Sequence, residues 1–79
     1  MNRRMGRFSI SREALRISPD DVKRVMGKCI IIKCEPCFMR DTFDYVAICD
    51  DFRAVPDGEV APEYTVEIEA DKVGFVEVG

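Results

Sequence analysis

Hydrophobic and polar positions alternate in several stretches of the chain, and the period changes from one stretch to the next. Phe8 and Ile10 alternate with Arg7, Ser9 and Ser11, a period of two that fits a short edge strand or an extended basic arm over residues 1–11. Ser18-Pro19-Asp20-Asp21 then carries an N-cap serine, a proline at the first helical position and two acids in the first turn. This predicts a helix from about Pro19 to Met26, with Gly27 as its C′ residue and an Ile17–Val22 hydrophobic staple. Val22, Val25 and Met26 form its apolar stripe.

Beyond the helix the period returns to two. Lys28 to Glu35 reads as a strand interrupted by Pro36, and Thr42 to Cys49 as its partner, with Phe43, Tyr45, Ala47 and Cys49 on one face and Val46 and Ile48 on the other. The connection carries Phe38 and Met39, which are expected to tuck back onto the core. Residues 50–62 show no periodicity but contain the turn signature Pro56-Asp57-Gly58, so they read as an ordered surface loop. Tyr64, Val66 and Ile68 alternate with Thr65, Glu67 and Glu69, and Val73 to Val78 returns. A two-residue turn at Ala70-Asp71 would set Glu69 opposite Lys72, Ile68 opposite Val73 and Val66 opposite Phe75.

These elements predict a single α+β domain over residues 1–79: a short capped helix packed on an antiparallel sheet of about four strands in two hairpins. Val46, Ile48, Val76 and Val78 give both hairpins a partly apolar second face, which one short helix cannot cover. The N-terminal segment, a second copy or another protein must cover the rest, and a symmetric homodimer is the commonest solution for small domains.

Composition narrows the chemistry. The 79 residues include no histidine, which removes Ser/His and Cys/His nucleophile pairs and His-ligated metals. Nine Val and seven Ile against a single Leu favour sheet over helix. No stretch has the length of a signal peptide's apolar core or a membrane span, so a reducing cytoplasm is the expected setting and no membrane the expected partner. Net charge is −3, divided unevenly: eight basic and three acidic residues lie between Met1 and Lys28, four basic and twelve acidic beyond. Arg3, Arg4 and Arg7 form a basic head that either docks on the protein itself or touches an anionic partner such as nucleic acid.

Cys29, Cys34, Cys37 and Cys49 include one C-x-x-C pair, which can grip zinc from a single turn, with Cys29 and Cys49 completing a tetrahedral set. Structural zinc sites usually show two such pairs, and Cys29 and Cys34 fall on opposite faces of a regular strand. Structural thiols are therefore expected and no cofactor, with a zinc domain whose basic head contacts nucleic acid as the alternative. A thioredoxin-type site needs its pair at a helix start, which the Pro36-Cys37 context does not supply.

Phe43-Asp44-Tyr45-Val46-Ala47-Ile48 and the stretch from Asp51 to Tyr64 resemble a pattern in small proteins of tailed phages and prophages. The resemblance implies a small accessory protein of the bacterial cytoplasm that binds a host or defence-system component. The function expected from the whole reading is non-enzymatic binding of another macromolecule, foremost a protein. The surface expected to do so is the acidic loop: Asp50, Asp51, Phe52, Asp57 and Glu59.

Overall fold

A computed structural model describes residues 3–69 and 72–78. The chain is α+β, with helices and antiparallel strands in the order β1 (Met5–Ser11), α1 (Arg12–Ile17), α2 (Pro19–Lys28), β2 (Ile30–Cys37), β3 (Thr42–Ile48), β4 (Tyr64–Ile68) and β5 (Val73–Glu77). Both expected hairpins are present, but the strands do not share one four-stranded sheet. β1, β3 and β2 form a three-stranded sheet in that order, and β4 and β5 form a separate pair. The fifth strand is the N-terminal segment, which is not a free arm: Phe8 and Ile10 are buried and all seven residues of β1 pair with β3.

The helical region begins earlier than the sequence pattern suggests. Ser11 caps α1, its hydroxyl accepting from the Ala14 N–H at 3.0 Å, and Glu13 and Arg16 suit the two ends of its dipole. Ser18 ends α1 and begins α2 with no side-chain cap bond of its own, and Pro19 fills the first position of α2, where a missing N–H costs nothing. The expected staple does not form, because Ile17 is exposed while Val22 turns into the core. Gly27 does not stop α2, which runs on to Lys28 with Cys29 in an extended conformation as its C-cap. Val22 and Val25 are buried and Met26 packs beside them, as the stripe requires.

β2 continues through Pro36 to Cys37, because β2 is a sheet edge where a missing N–H breaks no ladder bond. A bulge at Ile32 shifts its register against β3. In the second hairpin Ile68 faces Val73 and Val66 faces Phe75, as the alternation implies, while the Ala70-Asp71 turn lies outside the described residues.

The core is built around aromatic rings contributed by distant parts of the chain. Phe52 stacks on Tyr64 at 4.4 Å between centroids and meets Phe75 edge-on at 4.8 Å, and Phe8 stacks on Tyr45 at 5.3 Å. Gly6 lets β1 pass directly against the Tyr64 ring, since a Cβ there would lie 2.6 Å from it. The loop from 50 to 62 closes this core. Arg3 and Val55 exchange two backbone hydrogen bonds, and the Glu59 N–H returns to the Pro56 carbonyl across Gly58, whose φ of 90° that turn requires.

Candidate functional site: the uncovered face of the three-stranded sheet

Alternation and pairing place four rows of side chains on the face of the β1-β3-β2 sheet that points away from the aromatic core. Met5, Ile48 and Ile30 stand side by side across the three strands, and Arg7, Val46 and Lys33 form the next row. Ser9, Asp44 and Glu35 follow, then Ser11, Thr42 and Cys37. None of Met5, Ile30, Ile32, Val46 or Ile48 belongs to the core cluster. Ile30 is 70% exposed and the bulged Ile32 is 51% exposed.

The polar end of the same face is internally satisfied. Asp44 accepts from Ser9 Oγ at 2.6 Å, Thr42 Oγ1 at 3.0 Å and Arg40 Nη2 at 2.8 Å. The Ser9 hydrogen bond, ahead of the others, holds the Asp44 carboxyl below its ordinary range. Lys33 pairs with Glu35 at 2.8 Å. Beside this network hydrogen bonding from Arg40 favours the charged form of Cys37 and lowers that thiol's pKa. The face therefore divides into an apolar end, where nothing in the described chain covers it, and a closed polar end.

The β2–β3 hairpin tip adds a second exposed apolar feature. Phe38 and Met39 do not tuck back: Met39 is 98% exposed, and the Phe38 ring lies open beneath the Arg12 guanidinium at 5.2 Å. Arg12 also stands over Phe43 at 5.3 Å and pairs with Asp41 at 3.2 Å, so the arginine takes the place on Phe43 that a folded-back Phe38 would occupy.

The residues singled out from sequence are distributed differently. Phe52 is fully buried in the core, so it cannot be a partner-binding residue; an aromatic in a loop without periodicity gives no sign of which way it points. Asp50 and Glu59 are exposed, Asp51 pairs with Lys28 at 2.9 Å, and Asp57 pairs with Arg3 at 3.7 Å. The basic head is self-docked. Besides the Arg3–Asp57 pair, Arg4 Nη1 donates to the Phe52 carbonyl at 3.0 Å and Arg7 Nε to the Ala61 carbonyl at 2.8 Å, so all three arginines latch β1 to the loop.

The four thiols do not converge. Cys34 stands on the core face of β2 opposite Tyr45, and Cys37 on the outer face opposite Thr42, as an odd separation in a strand dictates. Cys29 and Cys49 adjoin each other at the other end of β2, and Cys49 donates to the Lys28 carbonyl at 3.3 Å. Among the described residues no three Cys, Asp or Glu side chains are grouped as metal ligands. No described helix is long and apolar enough to cross a membrane.

Comparison with protein-family models, curated proteins and solved structures gives no match, so the reading of this chain rests on its own residues.

Proposed function

We propose that the chain is a small non-enzymatic accessory protein that acts by binding another protein, and that the apolar end of its outer sheet face pairs two copies. The observation that carries this is the row Met5–Ile48–Ile30, continued by Val46 and Ile32, on a sheet whose opposite face is the core. Ile30 and Ile32 stand exposed, and Met5, Val46 and Ile48 are half-buried outside the core cluster. A chain of 79 residues gains little burial by itself, and a second copy of the same patch supplies the missing layer by symmetry. The outer sheet face offers binding more than chemistry: Cys37 is the one thiol among its four rows, Asp44 is engaged by Ser9, Thr42 and Arg40, and Glu35 by Lys33. The bacterial cytoplasmic setting and the host or defence-system partner belong to the proposal through the resemblance of the Phe43–Ile48 and Asp51–Tyr64 pattern alone.

Native mass spectrometry on the wild type and on Ile30→Asp tests the assignment. The wild type is expected as a dimer and the variant as a monomer with the same cooperative unfolding, because Ile30 contributes nothing to the core cluster. A monomeric wild type at about 100 times the working concentration would sink the second-copy assignment.

A further inference from the structure

We infer that the wedge where β1 and β4 diverge is a receptor for an extended peptide segment of a partner protein, which adds a strand between the two sheets. The inference rests on the protein-binding reading but concerns a different surface from the outer face.

Hydrogen bonding along β1 fixes which peptide groups are free. Cys49 N–H donates to the Arg4 carbonyl at 3.0 Å, so the even-numbered residues of β1 turn their peptide groups toward β3. Odd-numbered residues turn theirs away: Arg3 exchanges bonds with Val55, and Arg7 N–H donates to the Pro62 carbonyl at 2.9 Å. The loop thus closes this edge as far as Arg7. The same alternation places the Ser9 N–H and C=O and the Ser11 N–H on the edge beyond it, where no described strand pairs with them.

β4 presents a matching edge. Glu69 and Lys72 exchange backbone bonds, and Val78 N–H donates to the Glu63 carbonyl, so the odd-numbered residues of β4 serve β5. The peptide groups of Val66 and Ile68 consequently face away from β5. β1 and β4 run parallel at the Arg7–Glu63 bridge and then separate. Between them lies a cleft of about 220 Å³ lined by Ser9, Ser11, Val66 and Ile68, with Ile10, Val22 and Val25 also on its walls.

This combination specifies its occupant. Two facing rows of peptide donors and acceptors, repeated at the roughly 7 Å spacing of alternate strand residues, match a third extended backbone better than a compact ligand. An apolar side chain on that backbone would fill the space over Val22 and Val25. The rim carries the Ser18 hydroxyl, which makes no cap bond, and the Asp21 carboxylate, which is paired with Arg24 at 3.2 Å. Of the other sheet edges, β2 is blunted against strand addition by its bulge and Pro36, and on β5 Lys28 Nζ donates to the Val73 carbonyl at 3.0 Å, whereas this one carries no such device.

The test uses the full chain, ¹⁵N-labelled, and a capped hexapeptide of alternating Val and Thr flanked by Lys. In the free protein the Ser9, Ser11, Val66 and Ile68 amides are expected to exchange at least about tenfold faster than those of Phe8, Ile10, Thr65 and Glu67. Adding the peptide should shift and protect the first four. Ser9→Pro removes one edge donor, sparing the β1–β3 backbone ladder though not the Ser9–Asp44 side-chain bond, and should weaken binding about fivefold. Ser18→Phe fills the cleft from its rim and should abolish binding while the melting temperature holds, which covers the case of a misfolded proline variant. Absence of any shift at those four amides with about 1 mM peptide would overturn the inference. So would their protection in the free protein in a concentration-dependent way, since a second copy would then own the wedge. If the peptide fails while Ile30→Asp still converts a dimer to a monomer, the wedge inference falls alone and the protein-binding reading stands.

Discussion

The two faces of the three-stranded sheet are made from one strand pattern and meet opposite fates. Along β3, Tyr45 and Ala47 alternate with Val46 and Ile48, residues of comparable apolarity. Ala47 is fully buried and Tyr45 packs on Phe8, while Val46 and Ile48 stay outside the core cluster. What separates the faces is the supply of partners. The inner face meets rings from β1, β4, β5 and the 50–62 loop, and the outer face meets only the side chains of its own edge strands. Hydrophobic period identifies a strand, but coverage is decided by segments far away in sequence.

The largest test of that contrast is at Phe52, the residue through which the loop reaches the inner face. Phe52→Ala should cost about 3–5 kcal/mol, since a fully buried ring stacked on Tyr64 leaves a cavity its rigid neighbours cannot fill. Val46→Ala on the outer face should cost less than about 1 kcal/mol in the monomer. Urea denaturation of both variants decides the matter, and equal losses would mean the outer face is already covered.

Two glycines sharpen the comparison with effects of opposite sign. A Cβ at Gly6 would meet two Tyr64 ring atoms at 2.6 and 2.7 Å and Phe52 at 2.9 Å, so Gly6→Ala should destabilise by about 1–3 kcal/mol. At Gly74, in β5, a Cβ meets nothing within 4 Å, and Gly74→Ala should leave stability unchanged or raise it by up to about 1 kcal/mol. Thermal unfolding of the pair reads both signs.

Local signals in the sequence carried most of the elements. The Ser18-Pro19-Asp20-Asp21 start of α2, the β2–β3 and β4–β5 pairings and the Pro56–Glu59 turn all depend on neighbours in sequence, and all are present. The α1 helix is missed because six residues show less than two turns of periodicity, although Ser11, Glu13 and Arg16 in their capping and dipole positions were its available signs. Separation into two sheets depends on how β1 and β4 diverge after Arg7, which no local pattern encodes. The burial of Phe52 depends on distant partners in the same way: in sequence it looks like an exposed ring on an acidic loop until Arg3, Arg4 and Arg7 are seen fastening that loop to the N-terminal segment. The apolar outer positions Val46 and Ile48 were legible, but their alignment with Met5 and Ile30 required the register.

The cysteines extend the comparison of faces to reactivity, with the smallest energetic effect. Cys29, half-buried beside Cys49 at the core end of β2, has its thiol pushed up from 9.0 to about 12, by burial first and by the neighbouring thiol second. Cys37, on the outer face, has its pKa lowered by the hydrogen bond from Arg40. Thiolate is the species that alkylates, so iodoacetamide near neutral pH should modify Cys37 well before Cys29, with mass spectrometry of the digested protein reading the order. Arg40→Gln should slow Cys37 at neutral pH, with the gap to wild type closing as pH rises past the ordinary thiol range. The linkage at Cys29 has the opposite sense. Its folded pKa is raised, so folding favours the protonated thiol. Stability from this group is level below the unfolded value of 9.0 and declines as pH climbs from there toward 12. Replacing Cys29 by Ala should flatten that alkaline decline, and if Cys29 is labelled as fast as Cys37 at neutral pH, the inner end of the sheet is as open to solvent as the outer face.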